Sequence, residues 1–435
     1  MDRRRFVALT AAELSALAAA GCGPSRPPRI TFPPPTPAPP PSGRTERFDI
    51  AVIGAGAFGG WTALHLREQG ANVVLVDQYG PGNSRATSGD ETRGVRTSYG
   101  DRNHGQLWMN WANQAMARWK RFDEEQREHI GGQLFFNTGD LIMREEPELF
   151  TTRTLEWWKA EGIEHEVVPV DEARRRWPVI DFTDITLVLH EPGAGVVRAR
   201  RACEAVGFVF KLKGGQVRIG HAWMAEREGR KLQTIAFPNG DRIAADRFCF
   251  ALGPWMPKMF PEVMGHLMNL PVGHVCYFGT PPEDNRFTYP NLPSWNFRGV
   301  TGWPALVPDN RGFRVRTGGE RAFDPDLSQR VVPKESVERN RNVLRRRFPI
   351  MANAPLSETR ACHYESSTTR NFLIDHHPDF DNVILAGGGS AEGFKFGPVV
   401  GNYVAGRVLG NEGDPDLKEG FSFPVDEEPP PVDEE

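Results

Sequence analysis

Residues 48–77 read FDIAVIGAGAFGGWTALHLREQGANVVLVD, and the order of their parts decides the fold. Phe48 to Gly54 is an apolar run suited to a buried parallel strand. Gly54, Gly56 and Gly59 follow as Gly-x-Gly-x-x-Gly. Trp61 to Gln69 is helix-compatible, Gly70 stops it, and Val73 to Val76 reads as a second buried strand that ends at Asp77. The spacing predicts a complete βαβ unit. In such a unit the first glycine allows a tight turn, the second lets a pyrophosphate approach the backbone, and the third permits close helix–strand packing. The helix N-terminus then faces the phosphates. Asp77 lies 23 residues beyond Gly54, near the position from which an acid accepts ribose hydroxyls. The motif by itself does not separate FAD from NAD.

Around this unit the chain has 435 residues, which predicts two or three domains. Lys and Arg number 52 against 56 Asp and Glu, a net charge of −4 that leaves no basic surplus for gripping nucleic acid. Cys22, Cys203, Cys249, Cys276 and Cys362 lie far apart without a Cys-x-x-Cys pair. That spacing argues against a zinc ribbon, an iron–sulfur site or a disulfide scaffold, so no metal site is expected.

Residues 1–22, MDRRRFVALTAAELSALAAAGC, place a basic cluster before a short apolar stretch and small residues before a cysteine, the layout of an export signal. Arg3-Arg4 resembles a twin-arginine address, and Ala19-Ala20-Gly21-Cys22 resembles a lipobox with Ala19 where Leu is usual. The reading is therefore an exported protein of the periplasm or cell envelope, with Cys22 as a candidate for a lipid anchor. Residues 23–45 are Pro-rich and read as an extended spacer; residues 414–435 read as an acidic, solvated tail.

Beyond Asp77 come Gly80 to Gly89, Glu91-Thr92-Arg93-Gly94-Val95-Arg96 and Tyr99-Gly100. A distant block holds Arg360-Ala361-Cys362-His363-Tyr364, Phe372 to Asp375, and Asn382 to Phe396. Both resemble the D-amino-acid-oxidase-like superfamily of FAD enzymes, above all its sarcosine-oxidase and N-methyltryptophan-oxidase branch, over roughly residues 47–410. The resemblance implies an α/β architecture (α+β overall). A Rossmann-like FAD domain (46–130, 191–262, 357–413) interleaves with a substrate domain of mainly antiparallel sheet (131–190, 263–356), with strands at 134–143, 272–278 and 312–317.

The same resemblance implies roles for single residues. Gly54, Gly56, Gly59, Asp77, Gln78, Ser88, Thr92, Gly389 and Gly393 hold the cofactor. Arg93 stands near the flavin ring, where positive charge stabilises the reduced form. Arg96 and Lys395 clamp a substrate carboxylate, and Lys395 also borders the cofactor. Cys362 forms a thioether to the flavin, a tether useful to an envelope protein that cannot readily replace lost FAD.

Two positions depart from the branch. Arg314, in Gly312-Phe313-Arg314, replaces the Lys that activates oxygen; Glu392 replaces a His beside the substrate. Arg keeps the charge but presents it in a planar fork rather than as a compact ammonium. Glu392 would repel a simple amino-acid anion or select an added cationic or hydroxyl group. The expected activity is oxidation of a secondary or N-methylated amine, foremost an amino acid, to an imine, with oxygen or an envelope carrier such as a quinone or cytochrome taking the electrons. The alternatives are a flavin dehydrogenase using a non-oxygen acceptor on another substrate, and a flavin-binding envelope subunit without catalysis.

Overall fold

The computed structural model describes residues 37–102, 104–308, 311–320 and 324–424. The export signal, Cys22, the spacer through residue 36 and the acidic end from residue 425 lie outside the described residues. No described helix is long and apolar enough to cross a membrane.

The opening unit forms as β1 (Thr45–Ile53), α1 (Ala57–Glu68) and β2 (Val73–Asp77). The helix starts at Ala57, four residues before its expected first turn, because Gly56 acts as its N-cap. β1 and β2 pair in parallel inside a five-stranded parallel core that runs Val383–Gly387, Arg242–Phe250, β1, β2, Gln216–Ile219. Leu373–His376 and Thr234–Ala236 extend it antiparallel. Burial on both faces is what the unbroken apolar run of β1 requires: Ile50 and Val52 point into one core, Phe48, Ala51 and Ile53 into the other.

A second sheet of eight strands runs Leu356–His363, Val272–Phe278, Phe313–Glu320, Val300–Trp303, Ser294–Phe297, Asp140–Arg144, Leu187–Glu191, Glu166–Val167. Its pairings are antiparallel except for one, since Ser294–Phe297 runs parallel to Asp140–Arg144. The expected strand at 134–143 divides. Gly139 adopts φ +71°, and on its two sides Phe135–Phe136 joins Arg93–Val95 and Gly195–Val197 in a small third sheet while Asp140–Arg144 enters the second.

Three boundaries differ from the sequence reading. Strand Leu356–His363, which carries Cys362, is an edge of the second sheet although residues from 357 were assigned to the first domain. The end of the Pro-rich spacer is docked: Pro39 accepts from Arg242 at 3.0 Å, and Arg44 N–H donates to Asp241 at 2.8 Å. The acidic tail begins with a helix, Pro415–Phe421, capped by Asp414. Its Leu417 and Phe421 are buried, with Phe421 5.3 Å from Trp111 and 5.4 Å from Phe372. A Pro at the first helical position and two apolar residues four apart outweigh the surrounding acidity, since burying each large apolar side chain is worth roughly 1.5–3 kcal/mol.

Candidate active site

At the carboxyl ends of β1 and β2 lies a cavity of about 450 Å³. The three glycines of the motif play distinct parts there. Gly54 has φ +106°, and a Cβ on it would stand 2.2 Å from the Ala251 carbonyl oxygen. At Gly59 a Cβ would meet the Gly54 carbonyl at 1.9 Å, so this glycine sets the helix–strand distance. Gly56 faces open cavity, with Ser88 Oγ at 3.4 Å as the nearest atom to such a Cβ. Ser88 in turn accepts the Ala57 N–H at 3.1 Å and satisfies one free donor of the helix end.

Asp77 lines the cavity, and its carboxylate also knits the loop together: Ala55, Tyr79 and Gly80 N–H groups donate to it at 2.8, 2.9 and 2.8 Å. Burial raises its pKa despite these donors. Gln78, Gly389 and Gly393 line the same wall. Thr92 does not reach either cavity of the site; it sits between Trp303, whose indole donates to it at 2.8 Å, and the Tyr277 hydroxyl at 3.2 Å. Sequence reading missed Glu365, which is buried, accepts the Gly389 N–H at 3.1 Å through Oε1 and leaves Oε2 without a partner on the cavity wall. Burial pushes its carboxyl up to about 7.

A second cavity of about 140 Å³ shares Thr87, Arg93, Tyr364, Ala391 and Phe394 with the first, so the two adjoin. Arg93, Arg96, Arg314, Cys362, Glu392 and Lys395 all line it, which brings together six positions drawn from four stretches of chain. Arg93 is held by an ion pair to buried Asp90, donates to the Thr87 carbonyl at 2.6 Å and reaches Cys362 Sγ at 3.0 Å. The guanidinium thus stands directly beside the thiol.

Lys395, 5% exposed, donates to the Tyr99 hydroxyl at 2.8 Å and lies 3.8 Å from Glu392. Burial pulls its ammonium down to about 8, with Arg96 and Arg102 adding to the effect and Glu392 opposing it. For Glu392 burial acts upward, yet Lys395, Arg102 and Arg96 together hold it at about 2. Glu392 is therefore ionised, and its charge is already spent on its neighbours. The repulsion of a substrate anion expected from this residue is cancelled by Lys395 and by Arg102 at 3.3 Å. Arg102 escaped the sequence reading; it is buried against the Trp108 ring at 4.8 Å. Behind Arg96 stands Asp140, buried, with one carboxylate oxygen unpartnered. Arg314 is 2% exposed, lies 3.7 Å over the Trp303 ring, and is lowered to about 10 by burial, so it stays charged at neutral pH.

This geometry, a phosphate-accepting glycine loop joined to a charged substrate-sized chamber, defines a dinucleotide-dependent redox enzyme. The chain belongs to the family of FAD dependent oxidoreductases (DAO), whose pattern matches residues 49–407. It is similar to the monomeric sarcosine oxidase of Bacillus sp. (strain B-0618), 26% identical over 385 residues that cover 86% of this chain and 95% of the relative. The N-methyl-L-tryptophan oxidase of Escherichia coli O127:H6 is 25% identical, covering 85% and 97%. Among solved structures, glycine oxidase from Bacillus cereus ATCC 14579 shares the fold at a TM-score of 0.72 and 17% identity, covering 86% of this chain and 98% of that one. The chain is an FAD-dependent oxidoreductase similar to sarcosine oxidases. Its residues fit that cofactor: Gly56 leaves open the space a side chain would fill, and Glu365 Oε2 points an unpartnered polar atom at the cavity.

Proposed function

We propose that this enzyme oxidises the C–N bond of an amino acid carrying a secondary or N-methylated amine, giving an imine that water hydrolyses. The observation that carries this reading is the pair Arg96 and Lys395, two cations on the wall of a small chamber that adjoins the cofactor cavity. FAD, when bound, supplies a ring that takes a hydride equivalent from the carbon beside the nitrogen. The protein's task is then to present that carbon. Arg96 and Lys395 take the carboxylate, Arg96 through a planar fork and Lys395 as a point charge. Tyr99 and Glu392 fix the Lys395 ammonium, and Asp140 backs Arg96. A group held at one end leaves its α-carbon at a set distance from the neighbouring cavity, which is how positioning lowers a barrier.

The proposal extends to a thioether between Cys362 and the flavin, supported by the half-buried thiol and its Arg93 neighbour. It also keeps the exported, envelope setting expected from residues 1–22, with oxygen or an envelope carrier as electron acceptor. The test is an anaerobic titration of the purified protein with N-methyl and cyclic secondary amino acids while the flavin absorbance is followed, and then admission of air. Bleaching supports amine oxidation, and the recovery rate in air separates an oxidase from a dehydrogenase. An absorbance that no member of the panel changes overturns the reading. Denatured protein that releases all its flavin overturns the thioether.

A further inference from the structure

The substrate chamber holds more positive charge than one carboxylate needs. Arg93 is matched by Asp90, and Glu392 is matched by Lys395 and Arg102. Arg96, backed by Asp140, and Lys395, which shares Glu392 with Arg102, are assigned to the substrate carboxylate proposed above. Arg314, which shares the field of Asp90 with Arg93 but forms no ion pair with it, and Arg316 complete the charge, and both line the chamber. They are two residues apart on the strand Phe313–Glu320, so their side chains leave the same face of the sheet. Arg314 pairs in register with Tyr277 and Trp303, Arg316 with Val275 and Thr301, and of these four Val275, Thr301 and Trp303 also line the chamber.

No carboxylate forms a salt bridge with either arginine among the described residues, and Arg314 Nε and Nη1 are buried without a hydrogen-bond partner. A guanidinium that is desolvated and left with unpaired N–H groups is destabilising unless a ligand supplies acceptors. Trp303 fixes the plane of Arg314 from one side, and Tyr364 lies 5.8 Å from Arg316. Gly273 leaves room for Arg316, because a Cβ there would stand 3.3 Å from its Nη2. Aromatic surfaces and a missing side chain hold both forks in place, and Arg314 Nε and Nη1 are left without partners.

We infer that Arg314 and Arg316 form a second anion subsite, and that the substrate is an N-substituted amino acid bearing a second carboxylate. This deepens the amine-oxidation reading and rests on it for the identity of the bond broken, while the anion subsite stands on the two arginines.

The test uses the flavin-loaded protein and two unreactive ethers in which oxygen replaces the amine: methoxyacetate, with one carboxylate, and oxydiacetate, with two. Each is titrated while the flavin spectrum is followed. Oxydiacetate is expected to bind at least about tenfold tighter, the preference one added charged contact provides. Arg316→Met, checked for flavin content and Tm, removes most of that preference, and Arg316→Lys restores part of it. Equal affinity for the two ethers, or a preference that survives Arg316→Met, overturns the subsite. Anaerobic addition of N-methyl and N-carboxymethyl amino acids separates the two ideas. A flavin that no amine bleaches sinks amine oxidation whatever the ethers show; bleaching by N-methyl substrates with no oxydiacetate advantage sinks the second carboxylate alone.

Discussion

The two adjoining cavities are built from different materials. The larger is made mainly of backbone: three glycines, a helix N-terminus, and two carboxylates held by backbone donors, Asp77 by Ala55, Tyr79 and Gly80, and Glu365 by Gly389. The smaller is made of charged side chains that converge from residues 90–102, 140, 314–316 and 392–395. Backbone sites are local in sequence and tolerate almost no change in shape. Side-chain sites are dispersed and respond to changes in charge. Mutations in the two regions should therefore fail in different ways.

The sharpest contrast lies within the glycine motif. Gly59→Ala places a methyl 1.9 Å from the Gly54 carbonyl, an overlap of backbone that no rotamer relieves, and the variant is expected to yield no soluble flavoprotein. Gly56→Ala meets nothing in the protein closer than Ser88 at 3.4 Å. Its apoprotein should fold with a Tm within about 2 °C of the parent, since an N-cap change away from the core is worth under about 1 kcal/mol. FAD affinity should nevertheless fall by about 100-fold, because the methyl takes space that the pyrophosphate needs. Thermal melts and flavin binding to apoprotein measure the two effects separately. If both variants fail alike, the division between packing and ligand glycines is wrong.

In the smaller cavity the fold should survive and the chemistry should not. Lys395→Met is expected to keep its flavin and to lose about 100-fold in kcat/KM for a carboxylate substrate, the value of one charged hydrogen bond in a buried site. Glu392→Gln has a subtler effect. Glu392 raises the Lys395 pKa while burial lowers it to about 8, so removing the carboxylate lets it fall further. On the proposed clamp the ammonium binds the substrate carboxylate only while protonated, so the basic limb of the pH–kcat/KM profile should move to lower pH, by about one unit. An unmoved limb means that another group sets it.

The same contrast explains what was legible in the sequence. The strand, glycines, helix and Asp77 lie within 30 residues and carry their geometry in local spacing, so β1, α1 and β2 were readable to within a few residues. Arg96, Arg314, Glu392 and Lys395 were found through resemblance, and the structure brings them to one chamber. Arg102, Arg316, Asp140 and Glu365 carried no local pattern, because what defines them is burial and an absent partner, both products of tertiary packing. Thr92 shows the reverse error: it follows the motif in sequence, but its side chain turns between Tyr277 and Trp303. The helix at Pro415–Phe421 was hidden by the acidity around it, although Leu417 and Phe421 stand at helical spacing.

Glu191 sharpens the comparison at its quietest point. It is 1% exposed on the strand Leu187–Glu191 and accepts from Thr97 through the backbone N–H at 3.1 Å and the hydroxyl at 2.7 Å. Burial nonetheless lifts its carboxyl to about 7, with Asp140 adding to the shift and Thr97 and Arg96 opposing it. The unfolded value is 4.5, so the folded protein binds this proton more tightly than the unfolded chain does. Its contribution to stability is then full below pH 4.5 and is lost as the pH rises through about 7. Glu191→Gln keeps an acceptor for the Thr97 N–H and cannot titrate, so the fall in Tm across that interval should flatten, by on the order of 3 °C. Melts of both proteins between those pH values measure it, and parallel curves would show that Glu191 stays ionised. The glycine-built cavity offers Asp77 three backbone donors and Glu365 one, and the charge-built chamber sets its acids against arginines. The part of the pH dependence that Glu191→Gln removes belongs to the strand behind Arg96, and what remains in the same interval falls to Glu365 on the wall of the glycine-built cavity.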